Sequence, residues 1–386
     1  MANADAPSGD NGVAARRLAI EACERIEKDG AYANLLLPKL LAESDLDERD
    51  RGFVTELVYG STRMKRSVDY LVDRFIDRDD VDSRVRAALR VGAYQIAFLR
   101  VPAHAAVDAT VAATPKRGRG FVNAVLRKVS AANGDDTSWP TQGIELSYPD
   151  WVLKRLADDL GERSVPVLKA MNNAATTHTR DDGYRQDLAS QEVSKLVTDP
   201  GLILDLCAAP GGKATFIAGP ANGGGRTVIG SDIHEHRSGL IRTAATDTGT
   251  DVHAVVANAL SPPYQLAQAD AVLIDAPCSG LGSLRRRADA RWRITPADVD
   301  NLAGLQFSLV ETAASLVKPG GQVVFSVCTL TKSESLDVDE RIAAELPELE
   351  PQPLGDPWEP WGRGGRLLPD EFEGDGMAAF SYRLSS

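Results

Sequence analysis

Four cysteines stand in this 386-residue chain, Cys23, Cys207, Cys278 and Cys328, and two of them sit in segments that could do chemistry. Cys278 lies in Asp275-Ala-Pro-Cys278-Ser-Gly280, and Cys328 in Ser326-Val-Cys328-Thr-Leu330. No two cysteines form a CxxC pair, which argues against a zinc centre and against a disulfide framework. The one HxH pair, His234 and His236, is expected to be solvated, so no metal is expected. Packing or nucleophilic attack are then the roles open to the thiols. Cys23 shares a helical stripe with Val13, Leu18, Ile20 and Ile26 and is expected in a core; Cys207 is assigned to packing. A nucleophilic cysteine acts as thiolate, which needs positive charge or N–H donors nearby. Lys213 and the arginines after Gly280 (Arg285, Arg286, Arg287, Arg291 and Arg293) are the candidates, and the arginines are also the candidate RNA contacts.

These residues must be brought together by the elements that precede them. From about Gly201, short β-rich runs appear: LILDL, TVIGS, VHAVVA, AVLI and QVVFSV, separated by helical segments, with MAAFSYRL last. Strands alternating with helices predict a doubly wound, mostly parallel sheet. Asp275 and Cys278 follow the fourth strand and Cys328 follows the fifth. Right-handed crossovers keep both strand ends on one edge of the sheet, where ligands of open α/β folds lie. Two thiols and an acid converging there match the needs of cytosine carbon-5, which is too weak a nucleophile to accept a methyl group directly. Addition of a thiolate at carbon-6 makes carbon-5 enamine-like. An acid at ring nitrogen-3 would meet the charge that develops, and Asp275 is placed for it. A second thiol would assist when the first is expelled.

A second constellation follows the first strand. Cys207-Ala208-Ala209-Pro210-Gly211-Gly212-Lys213 reads as a tight turn opening a helix, with glycines that let backbone approach a ligand. Asp232 ends the next strand, where an acid would receive two ribose hydroxyls. The turn lacks GxGxxG, which argues against a nicotinamide cofactor.

Residues 13 to about 131 read as helices throughout, a compact bundle on its own. A leader is expected over 1–12, the helical domain over 13–132, a polar linker over 133–145, and the α/β domain with a short helical extension over 146–386. Composition is that of a globular protein, 43% hydrophobic and 25% charged. No apolar run is long enough to span a bilayer and no secretory signal is visible, so a cytoplasmic protein is expected. The net charge of −12 runs against nucleic-acid binding in bulk, yet basic clusters occur at Arg63, Lys65 and Arg66, at Lys116, Arg117 and Arg119, and at Arg127 and Lys128.

With these residues in place, the chain resembles the bacterial 16S ribosomal RNA cytosine-C5 methyltransferases of the RsmB (Sun/Fmu) type. The resemblance rests on LDLCAAPGGKAT, SDIHEHR, LIDAPCSGLGSLRRRADARWR, KPGGQVVFSVCTLT and GRLLP…DGM. It extends to RDRGFVTELVYGSTR, LRVGAYQIAFLRVPAHAAV and FVNAVLR, which look like a NusB-like helical domain. It implies a Rossmann-like, S-adenosylmethionine-dependent domain behind an RNA-binding bundle, with 16S rRNA as partner; the sequence leaves the assembly state open, with a monomer as the default expectation. It further implies Cys328 as nucleophile, Cys278 as release cysteine, and a cofactor site of Cys207 to Lys213, Asp232, Arg237, Asn258 and Asp275. Three departures stand out. Asn258 replaces a usual aspartate, SVC replaces STC, and the stretch between NNAATTHTR and GYRQDLASQ is short where an RNA-contacting subdomain is usual. The other readings are a NusB-like RNA-binding scaffold without turnover and a transfer RNA cytosine-5 methyltransferase; a cofactor-binding titration separates the scaffold from an enzyme.

Overall fold

The computed structural model describes residues 10–77, 80–132 and 138–385. Two compact units emerge, one holding the chain up to Leu153 together with Arg286–Arg293, the other Lys154–Arg285 and Ile294–Ser386. This division differs from the sequence expectation. The first unit runs on past the polar stretch at 133–145 to Leu153, and an eight-residue piece of the α/β sequence belongs to it. Residues 133–137 of the expected linker and 1–9 of the expected leader lie outside the described residues, and the first helix already begins at Asp10. No helix among the described residues is long and apolar enough to cross a membrane.

The first unit contains α1 (Asp10–Lys28), α2 (Ala33–Ala42), α3 (Glu48–Arg63), α4 (Lys65–Asp73), α5 (Ser83–Phe98), α6 (Ala103–Ala113), α7 (Arg119–Ala132) and α8 (Gln142–Leu146). Its helices start where short acceptor side chains occur. The Asp47 carboxylate takes the Asp50 N–H at 2.8 Å, and Asp82 takes those of Arg84 and Val85, satisfying donors that a helix leaves open. The long run LDERD…DRFI, one helical period in sequence, is split at Met64 (φ −91°, ψ 20°) into α3 and α4. Apolar residues of α1, α3, α5 and α7, among them Ile20, Leu57, Leu89 and Leu126, are fully buried in one core. Each contributes roughly 1.5–3 kcal/mol by leaving water. Cys23 is in this core as expected; burial pushes its thiol up to about 11, and its sulfur lies 3.3 Å from Ser61 Oγ.

Helix α9 (Asp150–Leu160) runs across the division, and α10 (Ser164–Ala170) and α11 (Leu188–Lys195) lead into the second unit's sheet. Its strands are β1 (Gly201–Asp205), β2 (Arg226–Asp232), β3 (Val252–Val256), β4 (Ala269–Asp275), β5 (Val317–Val327), β6 (Leu349–Gln352), β7 (Glu359–Trp361), β8 (Gly364–Leu367) and β9 (Met377–Leu384). The order is β3-β2-β1-β4-β5-β9-β8-β7, with β6 also paired to β9. The first five strands are parallel, and β5–β9 and the remaining pairs are antiparallel. The six longer strands are those read from the sequence. The short ones are not, because LEPQ and EPW carry proline, which sequence rules place outside central strands.

Between the strands lie α12 (Gly212–Ala218), α13 (Glu235–Thr248), α14 (Pro296–Leu316) and α15 (Leu336–Glu345). Alternate strand residues divide the core into two layers. Leu204, Val272, Ile274, Val323 and Phe325 pack with Phe307 and Val310 of α14 and Ile342 of α15. Ile203, Ala271, Leu273 and Val324 pack with Val193, Ile217 and Ile241 from α11, α12 and α13. Covered faces of this kind explain why the parallel strands read as near-continuous apolar runs. The strand order reverses between β1 and β4, and their carboxyl ends flank the crevice where such folds hold ligands.

Candidate functional site

The turn after β1 depends on glycine. Gly211 has φ 108°, and a Cβ there would stand 2.9 Å from Ala244 Cβ and 3.0 Å from Ile241 Cα. Gly212 would bring one within 3.0 Å of the Tyr184 ring. Only bare backbone fits between α13 and Tyr184. The turn forms one wall of a cleft of about 510 Å³ whose lining includes Ser190, Asp205, Cys207, Ala208–Pro210, Gly212, Lys213 and Asp275, with Tyr184 and Gln186 beside them.

Two polar atoms on this cleft are buried without a hydrogen-bond partner, Asp205 Oδ2 and Gln186 Nε2. The Gln186 amide is oriented by Arg180, whose Nη1 donates to its Oε1 at 2.9 Å. Arg180 also donates to Gly212 O at 2.8 Å and lies over the rings of Tyr184 and Phe216. Burial, seconded by the charge of Asp275, raises Asp205 to about 7. A buried donor and a buried acceptor left open suit a ligand end carrying both a carboxylate and an ammonium group. Asp205, Tyr184, Gln186 and Arg180 were not singled out from sequence. The signal for Asp205 was available, as it is the last residue of β1.

Asp275 ends β4 opposite Ser326 of β5. Ser326 Oγ donates to its Oδ1 at 2.9 Å, and Lys213 Nζ donates to its Oδ2 at 2.7 Å. Burial opposes the Lys213 charge, but Asp275, with Cys328 and Asp205 behind it, more than offsets this and holds the ammonium above its ordinary value. The thiols converge as the sequence implied: Cys278 Sγ and Cys328 Sγ are 3.3 Å apart, and neither forms a disulfide. Their protons are unequally held. The contact with Cys278 lowers the Cys328 thiol, helped by Ser283 Oγ at 3.8 Å and by the Lys213 charge, against burial and Asp275. The same contact raises Cys278 well above an ordinary thiol, with burial and nearby Glu334 adding to it. The two thiols are thus shifted in opposite directions, Cys328 towards the thiolate and Cys278 away from it. Cys207 takes the opposite course, since burial and the adjacent Asp205 push its thiol far up.

Asp232, at the end of β2, is 5% exposed and accepts the His234 N–H at 3.0 Å, with Arg237 Nε 3.3 Å away. Arg237 is exposed and reaches the Ala209 carbonyl at 3.3 Å. Asn258, two residues past β3, is exposed and accepts the Leu260 N–H. All three lie at the carboxyl edge of the sheet, although not on the cleft wall itself.

The arginine run, expected as RNA contacts, is dispersed, and burial takes Arg285 and Arg291 out of that role. Arg285 is buried, donating to Gly374 O with Asp375 at 3.6 Å. Arg291 is fully buried in the first unit, 4.0 Å over the Tyr148 ring and donating to the carbonyls of Ser147 and Arg63; burial lowers it to about 10. Arg293 donates to the carbonyls of Gly30 and Ala31 over Tyr32. Arg286 is half-buried, and Arg287 is exposed. The strongest influence on Cys328 is accordingly Cys278 and not an arginine.

Comparison with known proteins is consistent across the chain. Residues 196–381 match the 16S rRNA methyltransferase RsmB/F family and residues 13–131 the NusB family. The chain is 32% identical to a probable ribosomal RNA small subunit methyltransferase B of Bacillus subtilis, covering 95% of this chain and 98% of that one. It is 31% identical to the ribosomal RNA small subunit methyltransferase B of Thermus thermophilus, over 90% and 92%. The crystal structure of PH0851 superposes with a TM-score of 0.80 at 20% identity, covering 98% of this chain and all of that one, a likeness of fold.

Proposed function

The chain belongs to the 16S rRNA methyltransferase RsmB/F family and is an S-adenosylmethionine-dependent RNA methyltransferase; from that premise we propose that it methylates carbon-5 of a cytosine in small-subunit ribosomal RNA. The observation that carries this reading is the pair of sulfurs at 3.3 Å, beside an acid held by Ser326 and Lys213. Methylation of a nitrogen or a ribose oxygen needs no thiol at all, whereas carbon-5 needs a nucleophile at carbon-6.

S-adenosylmethionine supplies an electrophilic methyl group. The residues fit it: Asp205 Oδ2 and Gln186 Nε2 are the open acceptor and donor for its amino-acid end, the glycine turn admits it, and Asp232 suits its ribose. Asn258 offers its amide for the adenine without bringing a charge. On the substrate side the Cys328 sulfur bonds to carbon-6 while nitrogen-3 takes a proton delivered through Asp275, which balances the charge brought in by the thiolate. Once carbon-5 carries its methyl group, a base takes its proton, the freed electron pair restores the ring double bond and expels the Cys328 sulfur, and the Cys278 S–H donates to that leaving sulfur. The arginine run narrows to Arg287, whose exposed guanidinium is the one available to a phosphate.

Cys328→Ala is the direct test. It should abolish methyl incorporation into RNA, read as 5-methylcytosine by nucleoside mass spectrometry, and leave S-adenosylmethionine binding by calorimetry within about twofold. Retained cytosine methylation in that variant would overturn the proposal.

A further inference from the structure

The two cysteines belong to separate loops, 50 residues apart in sequence, and something must hold their sulfurs in register. Glu334, fully buried just before α15, accepts from both loops. Its Oε1 takes the Ser279 N–H at 2.7 Å and Gln306 Nε2 at 3.3 Å. Its Oε2 takes Ser279 Oγ at 2.6 Å, Thr331 Oγ1 at 2.9 Å and Thr329 Oγ1 at 3.0 Å. Ser279 follows Cys278 and Thr329 follows Cys328. Gln306 also donates to Pro277 O at 3.0 Å, so the peptide on each side of Cys278 is pinned.

We propose that Glu334 is the positioning residue of the thiol pair: its carboxylate ties the loop after β4 to the loop after β5 and so sets the contact between Cys278 and Cys328. Burying a carboxylate costs several kcal/mol unless its oxygens are saturated with donors, and two loops that merely had to pack could do so with apolar side chains. Here the donors are the immediate neighbours of the two cysteines, so the acid is spent on orientation. Glu334 also adds, behind the contact with Cys328 and burial, to what raises the Cys278 thiol. The other ionisable groups acting on the sulfurs, Asp275 and Lys213, lie beyond the clamp and pair with each other. The inference rests on the roles proposed above for Cys328 and Cys278.

The test reads thiol chemistry without RNA. Initial rates of iodoacetamide alkylation at Cys328 and at Cys278 are followed against pH by peptide mass spectrometry in full-length protein. In Glu334→Ala the Cys328 limb should move up by about one pH unit, an about tenfold loss of thiolate and an about 3–4-fold net loss of rate at pH 7, with S-adenosylmethionine affinity unchanged. In Glu334→Gln the oxygen still accepts from Ser279 N–H and the hydroxyls can turn to meet the amide. The Cys328 limb should therefore be restored while the Cys278 limb falls. A folded Glu334→Ala with a wild-type Cys328 limb overturns the proposal. If that variant does not fold, an unchanged Cys278 limb in Glu334→Gln does so. A wild-type protein that shows these limbs but makes no 5-methylcytosine leaves the clamp standing and removes the reaction instead.

Discussion

Replacing Cys278 by alanine should slow the attack on RNA and yet accumulate its product, and the size of each effect follows from the 3.3 Å contact. A hydrogen bond to a charged group contributes about 1.5–3 kcal/mol, which corresponds to roughly 1–2 pH units on the Cys328 thiol. The lowered thiol is reactive above its own midpoint, so losing Cys278 moves the reactive limb to higher pH and removes about 10–100-fold of thiolate at pH 7. A more basic thiolate is also a better nucleophile, with a Brønsted slope near 0.4–0.5 that returns about 3–10-fold. Attack should thus slow by a net factor of about 3–10 at neutral pH. Release loses its donor altogether. Radiolabelled RNA incubated with Cys278→Ala and S-adenosylmethionine should give a denaturant-stable protein–RNA band that grows slowly and does not decay, where wild type shows none. Two results would refute this reasoning: a Cys278→Ala enzyme that turns over freely, or a Cys328 alkylation limb that stays in place or moves to lower pH.

Asp205, raised to about 7 in the fold against about 3.9 unfolded, makes stability depend on pH in a defined direction. Its neutral form contributes fully below about pH 4 and is lost as pH rises through about 7, a decline on the order of 4 kcal/mol. Asp205→Asn should flatten the fall in melting temperature between pH 5 and 8, and an unaltered slope would show that the acid titrates normally. Arg291→Ala, which removes a fully buried guanidinium stacked on Tyr148, should cost about 3 kcal/mol and lower the melting temperature by several degrees. Arg287→Ala should leave melting unchanged while weakening RNA binding and reducing the salt slope by about 1. The opposite assignment of these two phenotypes would contradict the placement of the arginine run.

The six longer strands, most of the helices and the glycine turn were legible in the amino-acid order because their causes are local. The apolar, β-branched run of VHAVVA, the apolar stripe of VAARRLAIEACERI and the glycines of CAAPGGK each act within a few residues of themselves. Parallel crossovers then required the ends of β4 and β5 to share an edge, so the meeting of Asp275, Cys278 and Cys328 could be inferred before any coordinates. A chemistry for these residues could likewise be proposed from sequence, since two thiols and an acid suit a narrow set of reactions.

Only the tertiary structure decided in which direction each thiol is shifted, what holds the pair together, and where the arginines go. The first depends on a contact between residues 50 positions apart, and the second on Glu334, which in sequence is one acid in the polar stretch KSESLD. The third reversed a reasonable expectation. Arg291 and Arg285 look like a basic patch in RRRADAR, but charge in a sequence carries no record of burial. A guanidinium with carbonyl acceptors and an aromatic ring beneath it is stable inside a fold, and those partners come from Ser147, Tyr148 and Gly374, far away along the chain. Local patterns set the elements; desolvation and the charges around a group set its chemistry, and both are sums over neighbours that only the folded chain supplies.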